Sequence, residues 1–398
     1  MSRKLLILTV WAVSMLGAGC GGGSSPSKSN PTMASSGQNV VAISVNGGPT
    51  NNYVNGVFVT LTVCVPGSSS CQSIPNVLVD TGSSGLRLLS SALTISLKQQ
   101  NGPGGHPVAE CVPFLSGFTW GPVETADIQI AGERASAVPI QVLSDTAFPV
   151  PSGCSSTGLQ SMDSLSTLGA NGLLGVGLFA QDCGPACASP VGNPGLYYEC
   201  PSSGCQPITE AMTQQVQNPV AMFPSDNNGV MIELPAVSSG QPSITGSLVF
   251  GIGTQSNNAL NGATVYAVNS SGNFTTTFKG KSYPGSFVDS GSNGYFFLNS
   301  NTTSITACGS PNGFYCPSNT QNLSAENEGT NGNSGTVNFS VANADTLFST
   351  NTDFVFGDLG GPGQSDFDWG LPFFYGRNVF TAIEGKSTPA GIGPYWAY

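Results

Sequence analysis

The chain has 398 residues, including 53 glycines and 28 prolines, and only 8% of its residues are charged. Its formal charge of −11 argues against a nucleic-acid partner, because phosphate recognition needs clustered Lys and Arg. The 39% hydrophobic content, arranged in short Val/Ile/Phe runs, argues against disorder and for an all-β protein rich in turns.

The chain opens with Arg3 and Lys4, then an apolar run from Leu5 to Leu16 that is too short for a membrane span. Gly17-Ala18-Gly19 lead from it to Cys20. The arrangement resembles a bacterial lipoprotein signal, with residues 1–19 removed and Cys20 lipidated as the first residue of the mature chain. Leu16 stands four residues before the cysteine, where three is usual, so plain secretion is the alternative. The implied location is the periplasm or the outer membrane, with the lipid on Cys20 as the membrane contact. No later segment has the run of about 18 apolar residues that a spanning helix needs. Residues 20–38 are Gly- and Ser-rich, lack apolar periodicity and read as a flexible tether.

From residue 39 the runs VVAISV, VFVTLTVCV, NVLVD, ADIQIAG, SLVFGIG and ATVYAV predict short strands. Helix is predicted only at Ile208 to Val216 and at Asp163 to Leu168, and Ser318 to Gly335 reads as an exposed loop. Of the 11 cysteines, those beyond Cys20 can form bridges in an oxidising compartment. Nearness in sequence pairs Cys64 with Cys71 and Cys308 with Cys316, which leaves Cys111 for Cys154. The pairing among Cys183, Cys187, Cys200 and Cys205 stays open. With no C-x-x-C pair and one histidine, no metal site is expected. That histidine, His106, sits in NGPGGHP and reads as a loop residue; without a G-x-S-x-G it is a poor base for a serine hydrolase.

Two heptapeptides carry the chemistry. Val79 to Gly85 reads VDTGSSG, and Val288 to Gly294 reads VDSGSNG. In each, an apolar run leads into Asp, a hydroxyl residue, Gly and Ser. One copy alone would be a turn at a strand end. Two copies in the same context suggest two carboxylates brought together, with glycine leaving room and hydroxyl and N–H groups solvating the acids. Such a pair cannot easily ionise twice, so it shares a proton and can activate a water.

On these motifs the chain resembles the pepsin-like aspartic peptidases, and more narrowly a branch of bacterial lipoproteins with that fold. Asn171 to Gly177 (NGLLGVG) resembles the family's first apolar-Gly segment and Trp369 to Phe374 (WGLPFF) its second. Phe118-Thr119-Trp120-Gly121 resembles the flap, and Ser247 to Gly253 the interlobe strand. The resemblance implies an all-β, bilobal fold with pseudo-twofold symmetry and few short helices, divided into residues 39–240 and 241–398. It implies Asp80 and Asp289 as catalytic residues, supported by Thr81, Gly82, Ser83, Ser290, Gly291 and Ser292, with Trp120 and Gly121 over the substrate. The implied activity is aspartic endopeptidase, working as a monomer on peptide or protein without a cofactor; the alternative is a catalytically inert binding or adhesion module. Trp120 replaces the flap tyrosine and Arg87 replaces a tryptophan, departures that touch flap chemistry more than the aspartates.

Overall fold

The computed structural model describes residues 37–155, 158–363 and 365–398. The expected signal at 1–19, Cys20 and most of the expected tether lie outside the described residues. The fold is all-β and bilobal. Its α-helices are single turns of four residues, such as Leu165–Leu168 and Ala344–Leu347.

The same pairing scheme is built twice. In the first half, Cys71–Asp80 runs parallel to Gly172–Val176, which pairs antiparallel with Ser84–Leu89. Ser84–Leu89 then runs parallel to Glu133–Leu143. In the second half, Lys281–Val288 runs parallel to Asp368–Trp369, which pairs antiparallel with Tyr295–Phe297. Tyr295–Phe297 then runs parallel to Gly360–Pro362. A strand threaded between two others is buried on both faces and so reads as continuous apolar sequence. Gly172–Val176 obeys this, being buried throughout, and its alternation sends Leu173 and Leu174 into two different clusters.

Strands from the start, middle and end of the chain join the halves. Ile244–Phe250 pairs with Val40–Asn46 and with Gly229–Glu233, and the latter pairs with Asn378–Ala382. Asn378–Ala382 continues to Tyr395–Ala397. The second half is filled by rings: Phe297, Phe339, Phe367, Trp369 and Tyr295 stack or meet edge-to-face at 5.2–5.9 Å.

Five disulfides close loops in the described chain. Cys64–Cys71, Cys111–Cys154 and Cys308–Cys316 match the expected pairs, and the open set resolves as Cys183–Cys187 and Cys200–Cys205. Such bridges suit an exported protein. Among the described residues no helix is long and apolar enough to cross a membrane.

Two local expectations are corrected. Ile208 to Val216 is not a helix. Gln217 Nε2 takes the Met212 carbonyl at 2.6 Å, and the Val216 N–H goes to the Tyr197 hydroxyl, so the i→i−4 ladder cannot continue. Ser318 to Gly335 is not a loop but largely a hairpin, Gln321–Glu328 with Ser334–Val341. Most of its polar residues face out, while Ala325, Val337, Phe339, Val341 and the single polar Asn327 face inwards.

Candidate active site

Each heptapeptide forms the same tight turn at the end of a buried strand. Asp80 Oδ1 accepts from the Gly82 N–H at 2.8 Å, and Ser83 Oγ donates to Asp80 Oδ2. Asp289 Oδ1 accepts from the Gly291 N–H at 2.7 Å, and its Oδ2 lies 3.0 Å from Ser292 Oγ. Each turn rests on its apolar-Gly segment: the Gly177 N–H donates to the Ser83 carbonyl at 2.8 Å, and the Leu371 N–H to the Ser292 carbonyl at 2.7 Å. Leu173, Leu174 and Leu371 are buried beneath them.

The turns lock across the approximate twofold axis. The Thr81 N–H donates to Ser290 Oγ and the Ser290 N–H to Thr81 Oγ1, while Ser290 Oγ also donates to the Val79 carbonyl. The lock brings Asp80 and Asp289 together, close enough for each carboxyl to act on the titration of the other. Glycine at 82 is required by this approach, since a Cβ there would lie 2.6 Å from Asp289 Cγ.

Both aspartates are fully buried. Burial pushes Asp80 up, against the hydrogen bonds from Asp289, Ser83 and Gly82 and the Arg87 charge. Asp289 is held well above the usual carboxylate range by burial, then by the charges of Asp80 and Asp368. The pair therefore keeps a proton where ordinary carboxylates have lost theirs.

A cavity of about 780 Å³ opens beside the pair, lined by Thr81, Gly82, Leu115, Phe179, Val288 and Asp368 among others. Leu115 is the tip of the hairpin formed by Val108–Pro113 and Gly117–Ile130. Trp120 does not line this cavity. It is buried lower on the hairpin, with Nε1 donating to the Phe148 carbonyl at 2.8 Å and its ring against Tyr198 beside the Cys111–Cys154 bridge. Strand alternation puts Trp120 on the same face as Phe118, away from the cleft. Gly121 is needed for packing, because a Cβ there would run into the Val142 carbonyl. The overhanging residue is thus Leu115, five residues before the expected tryptophan; the apolar-polar turn LSG was its signal.

Arg87 is buried behind the first turn. It pairs with Asp182 at 2.8 Å and with Glu110 at 3.4 Å, and donates to the Ser84 carbonyl. Tyr197 donates its hydroxyl to Asp182 at 2.7 Å. Burial and the Asp182 charge keep Glu110 well above the usual carboxylate range, against the pull of the Arg87 charge. Tyr53, also unforeseen, lies within reach of the fields of Asp289 and Asp80, which raise it after burial does. His106 sits in an exposed turn whose N–H donates to Glu199. One group of possible metal ligands lies close together among the described residues, Cys308, Cys316 and Asp345, but its cysteines are joined in a disulfide and offer no thiolate.

This architecture is that of the pepsin-like aspartic proteinases. A solved structure of the aspartic proteinase from Irpex lacteus aligns with a TM-score of 0.54 and 14% identity, over 90% of this chain and 96% of that one, a likeness of fold alone. By sequence the chain belongs to the family described as "Protein of unknown function (DUF3443)", matched over residues 35–398. No curated protein matches it.

Proposed function

We propose that the protein is an aspartic endopeptidase, exported and anchored in the envelope through a lipid on Cys20. The observation that carries this reading is the juxtaposition of two buried carboxyls across the Thr81–Ser290 lock, each seated in its own Asp-hydroxyl-Gly-Ser turn. With one proton between them, the ionised carboxyl acts as general base on a water while the protonated one donates to the scissile carbonyl oxygen. The peptide lies extended in the cavity under Leu115, with the oxyanion formed against the acid. The enzyme acts as a monomer and uses its own two acids for every proton transfer.

The test is proteolysis of a denatured protein between about pH 3 and 7, the range in which such a pair holds one proton. Asp80→Asn and Asp289→Asn should each reduce turnover by about 10³-fold or more while the fold persists. Absence of cleavage by the wild type across that range, or full activity in either variant, would refute the peptidase and leave a binding module. Labelling of Cys20 with a fatty-acid analogue, lost in Cys20→Ser, tests the anchor.

A further inference from the structure

The two turns are alike, but their surroundings are not. In the first half, Arg87 faces Leu173 across the strand pair; in the second, Phe296 faces Asp368. An acid therefore stands where the other half has leucine. Asp368 is 5% exposed, and its Oδ2 lies 2.6 Å from Ser292 Oγ. The same hydroxyl is 3.0 Å from Asp289 Oδ2. Ser83, the counterpart of Ser292, contacts Asp80 alone among carboxyls.

Counting protons decides what this bridge means. Ser292 links Asp289 to Asp368, and the Thr81–Ser290 lock sets Asp80 against Asp289. A proton shared by the two aspartates completes a chain with three links, each of which needs one proton. The serine hydroxyl supplies one. Two of the three carboxyls must therefore be acids, and one is left as a carboxylate. The charged end is fixed by the environment. The Arg87 charge favours ionised Asp80. Asp368 Oδ1 is buried with no hydrogen-bond partner, a vacancy that an acid carbonyl tolerates better than a carboxylate does.

The charged and titratable groups around Asp368 favour the same form. Asp289 and Asp80 face it from the two turns, and Asp366, Glu384 and Asp182 line the adjoining cavity, which no Lys, Arg or His lines among the described residues. From the paired strand it meets Phe296.

We propose that Asp368 is a positioning residue held as a carboxylic acid, which orients a one-way hydrogen-bond chain from Asp368 through Ser292 and Asp289 to Asp80. In this chain Asp80 is the base and Asp289 is the acid. The roles at the aspartate pair rest on the peptidase reading; the proton on Asp368 does not. Burial also holds Asp368 well above the usual carboxylate range, against the Ser292 hydrogen bond.

Two measurements test this. The first is the pH profile of kcat/KM for wild type, Asp368→Asn and Asp368→Leu. Wild type loses two required protons as pH rises, so its alkaline limb should steepen towards a slope of two. In Asp368→Asn the amide donates to Ser292 at every pH, and the limb should fall with a slope of one. Asp368→Leu, which restores the residue type of the first half, should lose about 2- to 10-fold in kcat, the worth of one hydrogen bond between neutral groups. Identical limb slopes in wild type and Asp368→Asn overturn the proposal. The second measurement needs no turnover: the infrared carbonyl band of protonated carboxyls at pH 6, as wild-type minus variant difference spectra. Loss of one acid is expected with either variant, and a flat difference overturns the proposal even in an active enzyme. If wild type cleaves nothing but the band is lost, the peptidase reading fails and the acid on Asp368 stands.

Discussion

Thr81 and Ser290 hold each other across the axis: the Thr81 N–H donates to Ser290 Oγ at 3.1 Å and the Ser290 N–H to Thr81 Oγ1 at 2.9 Å. Both residues are at most 1% exposed, so no water can replace a lost partner. Thr81→Val keeps the shape and removes the acceptor, leaving the Ser290 N–H buried and unpaired. It should cost about 1–3 kcal/mol in denaturant unfolding. Ser290→Ala removes the reciprocal acceptor and a donor to the Val79 carbonyl, and should cost at least as much. Because the lock sets the spacing of the aspartates, activity should fall further than stability in both variants.

Leu174 has no exposed surface and packs with Val77, Val79, Leu86 and Val176 beneath the first turn. Leu174→Ala should destabilise the protein by about 2–5 kcal/mol, the transfer free energy plus the cavity left behind. An unchanged melting curve would show that the first apolar-Gly segment is not a packing element.

Arg87 is buried and pairs with Asp182, whose side chain is 5% exposed at the wall of the cleft. Removing one partner of a buried pair leaves an uncompensated charge, so Arg87→Met should cost about 3–5 kcal/mol. Combining it with Asp182→Asn should recover part of that loss, and a double-mutant cycle measures the coupling. If the two losses simply add, the pair is not coupled.

Much of the site was legible because the fold repeats itself. Two heptapeptides and the NGLLGVG segment carry the turns, the lock and their support, and these are local patterns with a local cause. What could not be read depends on contacts between distant segments. A strand's alternation shows which residues share a face but not which face meets the cleft, so the sequence does not separate Trp120 from Leu115 as the residue over it. Asp368 sits among Phe367, Trp369 and Gly370, where nothing in sequence reveals that Ser292 lies 2.6 Å away. The hairpin of Gln321–Glu328 with Ser334–Val341 was hidden by its polar residues. Its inward Asn327 is satisfied by Thr276 and Tyr398, partners that only the tertiary fold supplies.

Stability should fall as pH rises from about 4 to 8. Burial and neighbouring charges hold Asp289, Asp368 and Glu110 well above the usual carboxylate range. Burial, then Asp145, pushes Glu124 up to about 7, and burial, then Glu199, pushes Glu210 up to about 7. A carboxyl raised in the folded state binds its proton more tightly there than in the unfolded chain. Its penalty is absent below the unfolded pKa of about 4 and grows until pH passes the folded value. Asp127 has the opposite sign. Burial opposes its ionisation, but hydrogen bonds from Arg134, Gly67 and Ala137 outweigh that and hold it low. Its contribution is present above the unfolded value and lost as pH falls through the folded one. The raised groups outnumber it, so the melting temperature should peak near pH 4–5 and decline towards pH 8. Glu124→Gln and Glu210→Gln should each flatten the decline between pH 5 and 8, and Asp127→Asn should flatten only the acid limb. A melting temperature that rises steadily from pH 5 to 8 would mean that these carboxyls are ionised in the folded protein.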